Sequence, residues 1–87
     1  MQIPQHTKEA LDRYAKEGIP TGGFLRAVLT NDLFGAMSKA DIENRIKLFD
    51  ICSYIYNNLP SSCWGSQEKV KEWIDKFKKK EIENANN

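Results

Sequence analysis

Apolar residues recur along the chain at the three-and-four spacing of amphipathic helices, and no stretch alternates in the manner of a strand. The first periodic stretch, about Lys8 to Glu17, puts Leu11, Tyr14 and Ala15 on one face. Thr7 is placed to cap its start and Gly18 to end it. The second, about Gly23 to Met37, carries Leu25, Val28, Leu29, Leu33, Ala36 and Met37, widened by Phe24 and Phe34. So broad a stripe predicts a central or interface helix. Only Asn31-Asp32 interrupts it, and that pair reads as a helix-surface hydrogen bond or an interface contact rather than a general base.

The segment "SKAD" at residues 38–41 matches a capping box, with Ser38 as cap and Asp41 reaching back. A third helix then runs to about Asn57 with Ile42, Ile46, Phe49, Ile51, Cys52, Ile55 and Tyr56, and Leu59-Pro60 ends it. Ser66 caps a fourth helix from Gln67, which carries Val70, Trp73, Ile74 and Phe77 on one face. Lysines at 78–80 lie near its C-terminal end, where positive charge suits the helix dipole. All three prolines follow a branched aliphatic residue (Ile3-Pro4, Ile19-Pro20 and Leu59-Pro60), a pairing that breaks helix and lets the aliphatic residue fold back as a staple.

Four helices with short loops predict an all-α fold, a small four-helix bundle forming one domain over residues 1–83, with 84–87 as a fraying tail. In an up-down bundle the second and fourth helices start at the same end. The loops "GIPTGG" and "PSSCWGS" then become neighbours in space. Eighty-seven residues with 40% hydrophobic composition bury only a thin core, so self-association into a homo-oligomer is expected.

Charge and chemistry narrow the functional classes. Thirteen basic and twelve acidic residues leave a formal charge of +1, which disfavours duplex nucleic acid as a partner. The polar opening "MQIPQHTKEA" has no secretory pattern, no run approaches a membrane span, and two cysteines suit a reducing compartment. A cytoplasmic protein with free Cys52 and Cys63 is the expectation. His6 is the single histidine, and although a Cys–His arrangement with Cys63 is conceivable, an exposed imidazole and a loop thiol explain both more simply. No metal-ligand spacing, cofactor motif or catalytic set emerges, so the chain reads as a non-enzyme that needs no cofactor.

The remaining candidate is an anion site. Thr21, Gly22, Gly23 and Arg26 sit where backbone N–H groups at a helix start are free and a cation is near. Ser61, Ser62 and Ser66 add hydroxyls at the second loop, and Trp64 adds a flat face for a base to stack on. A tight Gly-Gly turn and a tryptophan lid over the bundle end are the plainer readings of the same residues. The stretch "KFKKKE" reads as a solvated helix end before it reads as an RNA-binding patch.

The stretches "IPQHTKEALDRY", "GIPTGGFLRAVLTNDLFGAMSKAD" and "YIYNNLPSSCWGSQEKVKEW" resemble a group of small phage- and prophage-encoded proteins of unknown function. The resemblance implies a phage origin and action in a bacterial cytoplasm, and it assigns no role to any residue. Together these readings predict a phage protein that binds a phosphorylated small molecule, such as a nucleotide immune signal sequestered to counter host defence. The alternative is a protein-binding inhibitor or regulator of a host protein, docking through the apolar surface of the second helix.

Overall fold

In a computed structural model, residues 3–85 are described, and for 81–85 the backbone alone. Five α-helices and one 3-10 turn follow one another, with no strand among the described residues. They are α1 (Gln5–Glu17), α2 (Gly23–Leu29), α3 (Leu33–Lys39), α4 (Ile42–Asn58), the 3-10 turn Ser61–Cys63, and α5 (Gln67–Ala85). The all-α class agrees with the periodicity; the count of four helices does not.

The extra helix comes from the Asn31-Asp32 interruption. Asn31 takes a left-handed conformation (φ 64), and the Asp32 carboxylate accepts from Gly35 N at 2.9 Å, capping a new helix. Thr30 reinforces the stop, its hydroxyl donating to the carbonyls of Arg26 (2.8 Å) and Ala27 (3.2 Å). Short polar side chains that bond locally to backbone compete with continuing a helix, and here they win over an apolar stripe. The same pair that reads as a surface feature in the sequence is a corner of the fold.

Two cap assignments also change. Helix α1 begins at Gln5 with Pro4 as its cap residue, whose carbonyl accepts from Thr7 N and Lys8 N at 3.0 and 3.1 Å. Thr7 is a buried residue inside the helix. At "SKAD" the cap of α4 is Asp41, which accepts from Asn44 N at 2.8 Å, while Ser38 lies within α3 and donates to the Gly35 carbonyl. Ala40, between them, is extended and buried, so the two helices meet at a corner that a capping box centred on Ser38 would not make. The cap at Ser66 is as expected, accepting from Lys69 N at 3.1 Å. Of the aliphatic residues before proline, Leu59 is buried and Ile19 is exposed. The expected tail falls partly within α5, which continues to Ala85; residues 86–87 lie outside the described residues.

The main core cluster draws on every helix except α3, whose one buried residue is Ala36. Leu11 and Tyr14 from α1 meet Leu25 and Leu29 from α2, Ile51 and Ile55 from α4, and Val70 and Ile74 from α5, with Leu59 and Cys63 closing the end. Three hydrogen bonds lock this packing. The Tyr14 hydroxyl donates to the Cys63 carbonyl at 2.6 Å, the Trp73 indole donates to the Tyr14 carbonyl at 3.1 Å, and the Tyr54 hydroxyl donates to Asp12 at 2.5 Å. Gly18 ends α1 in the left-handed region (φ 68), its N–H donating to Tyr14, and lies so close to Phe77 of α5 that an added Cβ would overlap the ring.

Two stability predictions follow from these contacts. Gly18→Ala combines backbone strain with a clash and should cost about 2–3 kcal/mol, lowering the midpoint of a circular-dichroism melt by at least about 10 °C. Burial, then the Asp12 carboxylate beside it, pushes the Tyr54 hydroxyl up to about 12 from 10.0. Its folded pKa is the higher one, so its stabilisation is whole below pH 10 and is lost as the pH climbs towards 12. Urea denaturation in that window should show a shallower alkaline loss for Tyr54→Phe than for the native protein.

Candidate functional site

The eight residues singled out from the sequence are not gathered into one place. Gly65 N donates to the Leu29 carbonyl at 2.7 Å, so the "PSSCWGS" loop packs against the end of α2 rather than its beginning. The corner at Asn31 supplies the reason. Splitting one helix in two adds a change of direction, and α5 therefore starts beside the last turn of α2. The two loops thus do not pair as an up-down bundle would pair them, although Gln67 at the start of α5 shares a groove with Gly23 and Arg26.

Each candidate then has its own setting. Thr21 is half-buried, and its hydroxyl donates to the Gly22 carbonyl at 3.2 Å. Gly22 and Gly23 border a shallow groove with His6, Thr7, Phe24 and Asn44. Ser61 and Ser62 are exposed on the 3-10 turn, where Lys69 Nζ donates to the Ser61 carbonyl. Ser66 is occupied as the cap of α5. Trp64 donates its indole N–H to the Leu59 carbonyl at 3.2 Å and packs against Tyr56, with ring centroids 5.9 Å apart. It lines an apolar groove of about 420 Å³ together with Val28, Phe49, Cys52 and Tyr56. His6 and Cys63 do not meet, since His6 is exposed and Cys63 is fully buried.

Arg26 and Gly23 remain together and acquire partners that the sequence does not single out. They line a groove of about 360 Å³ with Thr30, Lys39, Gln67 and Lys71. The second turn of α2, the end of α3 and the first turns of α5 thus bring three cationic side chains around one depression. Asp32 also borders it, with its carboxylate engaged at Gly35 N. Lys71 reaches Asp75 at 3.0 Å in an exposed pair, which holds it weakly. Because α2 is only seven residues long, its backbone N–H groups add little, and the side chains carry the electrostatics.

Lys39 and Lys71 carry no sequence signal, because each is one exposed lysine on a helix turn among many in this chain. Their significance comes from the corner at Asn31, which turns α3 back, and from the seating of α5 beside α2. The lysines of "KFKKKE" differ in setting. Lys76 lies over the Trp73 ring at 4.1 Å, and Lys78 and Lys80 border a separate groove with Glu17, Ile19 and Phe77. Among the described residues no three His, Cys, Asp or Glu side chains group as metal ligands, and no helix is long and apolar enough to cross a membrane.

No family model, curated protein or solved structure matches this chain.

The two thiols differ in a measurable way. Burial pushes both thiols up, Cys63 to about 11, but only Cys52 is exposed, on the wall of the apolar groove. A thiol-disulfide reagent at pH 8 should titrate one cysteine per native chain and both only after denaturation. Cys52→Ser should leave the native protein unreactive.

Proposed function

We propose that the protein is a non-enzymatic phage protein that holds a phosphorylated small molecule, a nucleotide of host defence signalling, in the groove between α2, α3 and α5, and acts by sequestering it. The observation that carries this reading is the convergence of Arg26, Lys39 and Lys71 on one groove roughly the size of a small ligand. Arg26 offers a planar donor fork suited to two phosphate oxygens, and the lysines act as mobile point charges. Thr30 and Gln67 border the same groove with groups able to bond sugar or base edges. Each charge-assisted bond is worth about 1.5–3 kcal/mol, so two or three sum to about 3–9 kcal/mol before the cost of association, and micromolar retention, at about 8 kcal/mol, draws also on edge contacts from Thr30 and Gln67. Sequestration needs no turnover.

This version of the site narrows the sequence-based one. Arg26 and Gly23 stay at its centre, and Trp64, Ser61 and Ser62 stand outside the groove. The second reading, a protein-binding regulator of a host protein, has a different support: the apolar residues left exposed on α3 and α4, which include Phe34 at 84% exposure.

Isothermal titration against cyclic and linear nucleotides tests the first reading. Binding should weaken at least about tenfold in Arg26→Ala and in Lys39→Ala, fall with added salt, and be unchanged in Trp64→Phe. Absence of heat with every nucleotide, or equal binding in both charge variants, would sink it.

A further inference from the structure

Helix α4 carries its apolar residues on two opposite faces, and only one of them packs into the core. Ile51 and Ile55 point into the core. Ile42, Ile46, Phe49 and Tyr56 point away from it, each between 73 and 79% exposed. With the half-buried Ser53 these positions fall at 42, 46, 49, 53 and 56, alternating steps of four and three residues. That is the seam of a two-stranded coiled coil, written on the outside of a 17-residue helix. Leu33, Phe34 and Met37 on α3 extend it, being 59, 84 and 40% exposed, and α3 lies along α4 where Leu33, Ala36, Leu48 and Cys52 share a small cavity.

We propose that a second copy of this chain covers this face, with the two α4 helices running parallel and the row from Ile42 to Tyr56 as the seam. The proposal rests on different residues from the charged groove and stands or falls separately. Two observations identify the occupant. The first is area: seven large side chains this exposed present roughly 1,000 Å² per copy, against about 800 Å² per partner in a standard stable interface. The second is charge. In a seam with this register Arg45 flanks one side, and Glu43 and Asp50 flank the other. Parallel pairing places Arg45 of each copy five residues from Asp50 of the other, the spacing at which flanking charges meet, and two-fold symmetry makes the contact twice. Antiparallel pairing would set Glu43 and Asp50 against acidic counterparts instead. The face is complementary to itself in one orientation only.

Sedimentation equilibrium from about 10 to about 200 μM reads the assembly directly. The expected mass is twice the 10.0 kDa of one chain, or a higher even multiple built on the same pair. Phe49→Asp and Ile46→Asp should each give a monomer that keeps its helical circular dichroism, because neither side chain supports the core. Arg45→Asp should weaken pairing at least tenfold, and adding Asp50→Arg in the same chain should restore it. In a Cys52→Ala background, Ser53→Cys should oxidise to a covalent dimer, since a parallel seam sets residue 53 opposite itself. The proposal is overturned if the native protein stays monomeric at the highest concentration. It is equally overturned if its mass is indifferent to Phe49→Asp, if Ser53→Cys fails to cross-link, or if a different protein is found seated on α4 of a monomeric chain.

Discussion

A phenol surrounded by aliphatic side chains must donate its hydrogen bond or cost the fold about 1–3 kcal/mol. Tyr14 gives its hydrogen to the carbonyl of Cys63, 49 positions away, and its own carbonyl receives the indole N–H of Trp73. One residue thereby joins α1, the 3-10 turn and α5. The turn is short and mostly polar, and that bond joins the buried Cys63 side chain and the Gly65 N–H to Leu29 carbonyl bond in fixing it against the core. With Cys63 anchored, Trp64 is directed outward onto Tyr56, and Gly65 reaches the end of α2. Every surface feature on that side depends on where this turn sits. Among the described residues no buried side-chain polar atom lacks a partner, so the thin core is closed on its polar side as well.

Around this core the chain shows two unlike faces. One is a groove bordered by Arg26, Lys39 and Lys71, with Asp32 as the acidic residue on its rim. The other is the outer side of α3 and α4, where large apolar side chains meet water. Neither arrangement helps a lone domain fold. Packing accounts for the inner residues of α4, while the outer row keeps most of its surface in water, with Tyr56 alone meeting an aromatic neighbour, Trp64.

Much of this architecture was legible in the sequence, and the departures have local causes. The 3.6-residue period located α1, α4 and α5, and Ser66, Gly18 and Leu59-Pro60 marked their ends, because these signals act within a few residues. The same period ran unbroken through Asn31-Asp32, since a count of apolar positions takes no account of a carboxylate that prefers to bond Gly35 N. That one omission propagated. With α2 and α3 taken as one helix, the "GIPTGG" and "PSSCWGS" loops become neighbours at one end, whereas in the fold Gly65 bonds the last residue of α2. Arg26 survived as a candidate because its position on α2 is local. Lys39 and Lys71 could not be found, because what distinguishes them is proximity across 45 and 13 residues of chain, a tertiary property.

The corner at Thr30, Asn31 and Asp32 has one more consequence. Val28 and Asn31 belong to the apolar groove, whereas Ala27, Thr30 and Asp32 border the charged one, so consecutive residues of one short segment serve opposite sides of the molecule. Leu25 and Leu29 on the remaining face of α2 are buried in the core, and the Leu29 carbonyl is tied to Gly65 N. This two-turn helix is therefore a fixed wall common to both grooves, and any substitution that shifts it reshapes the two together.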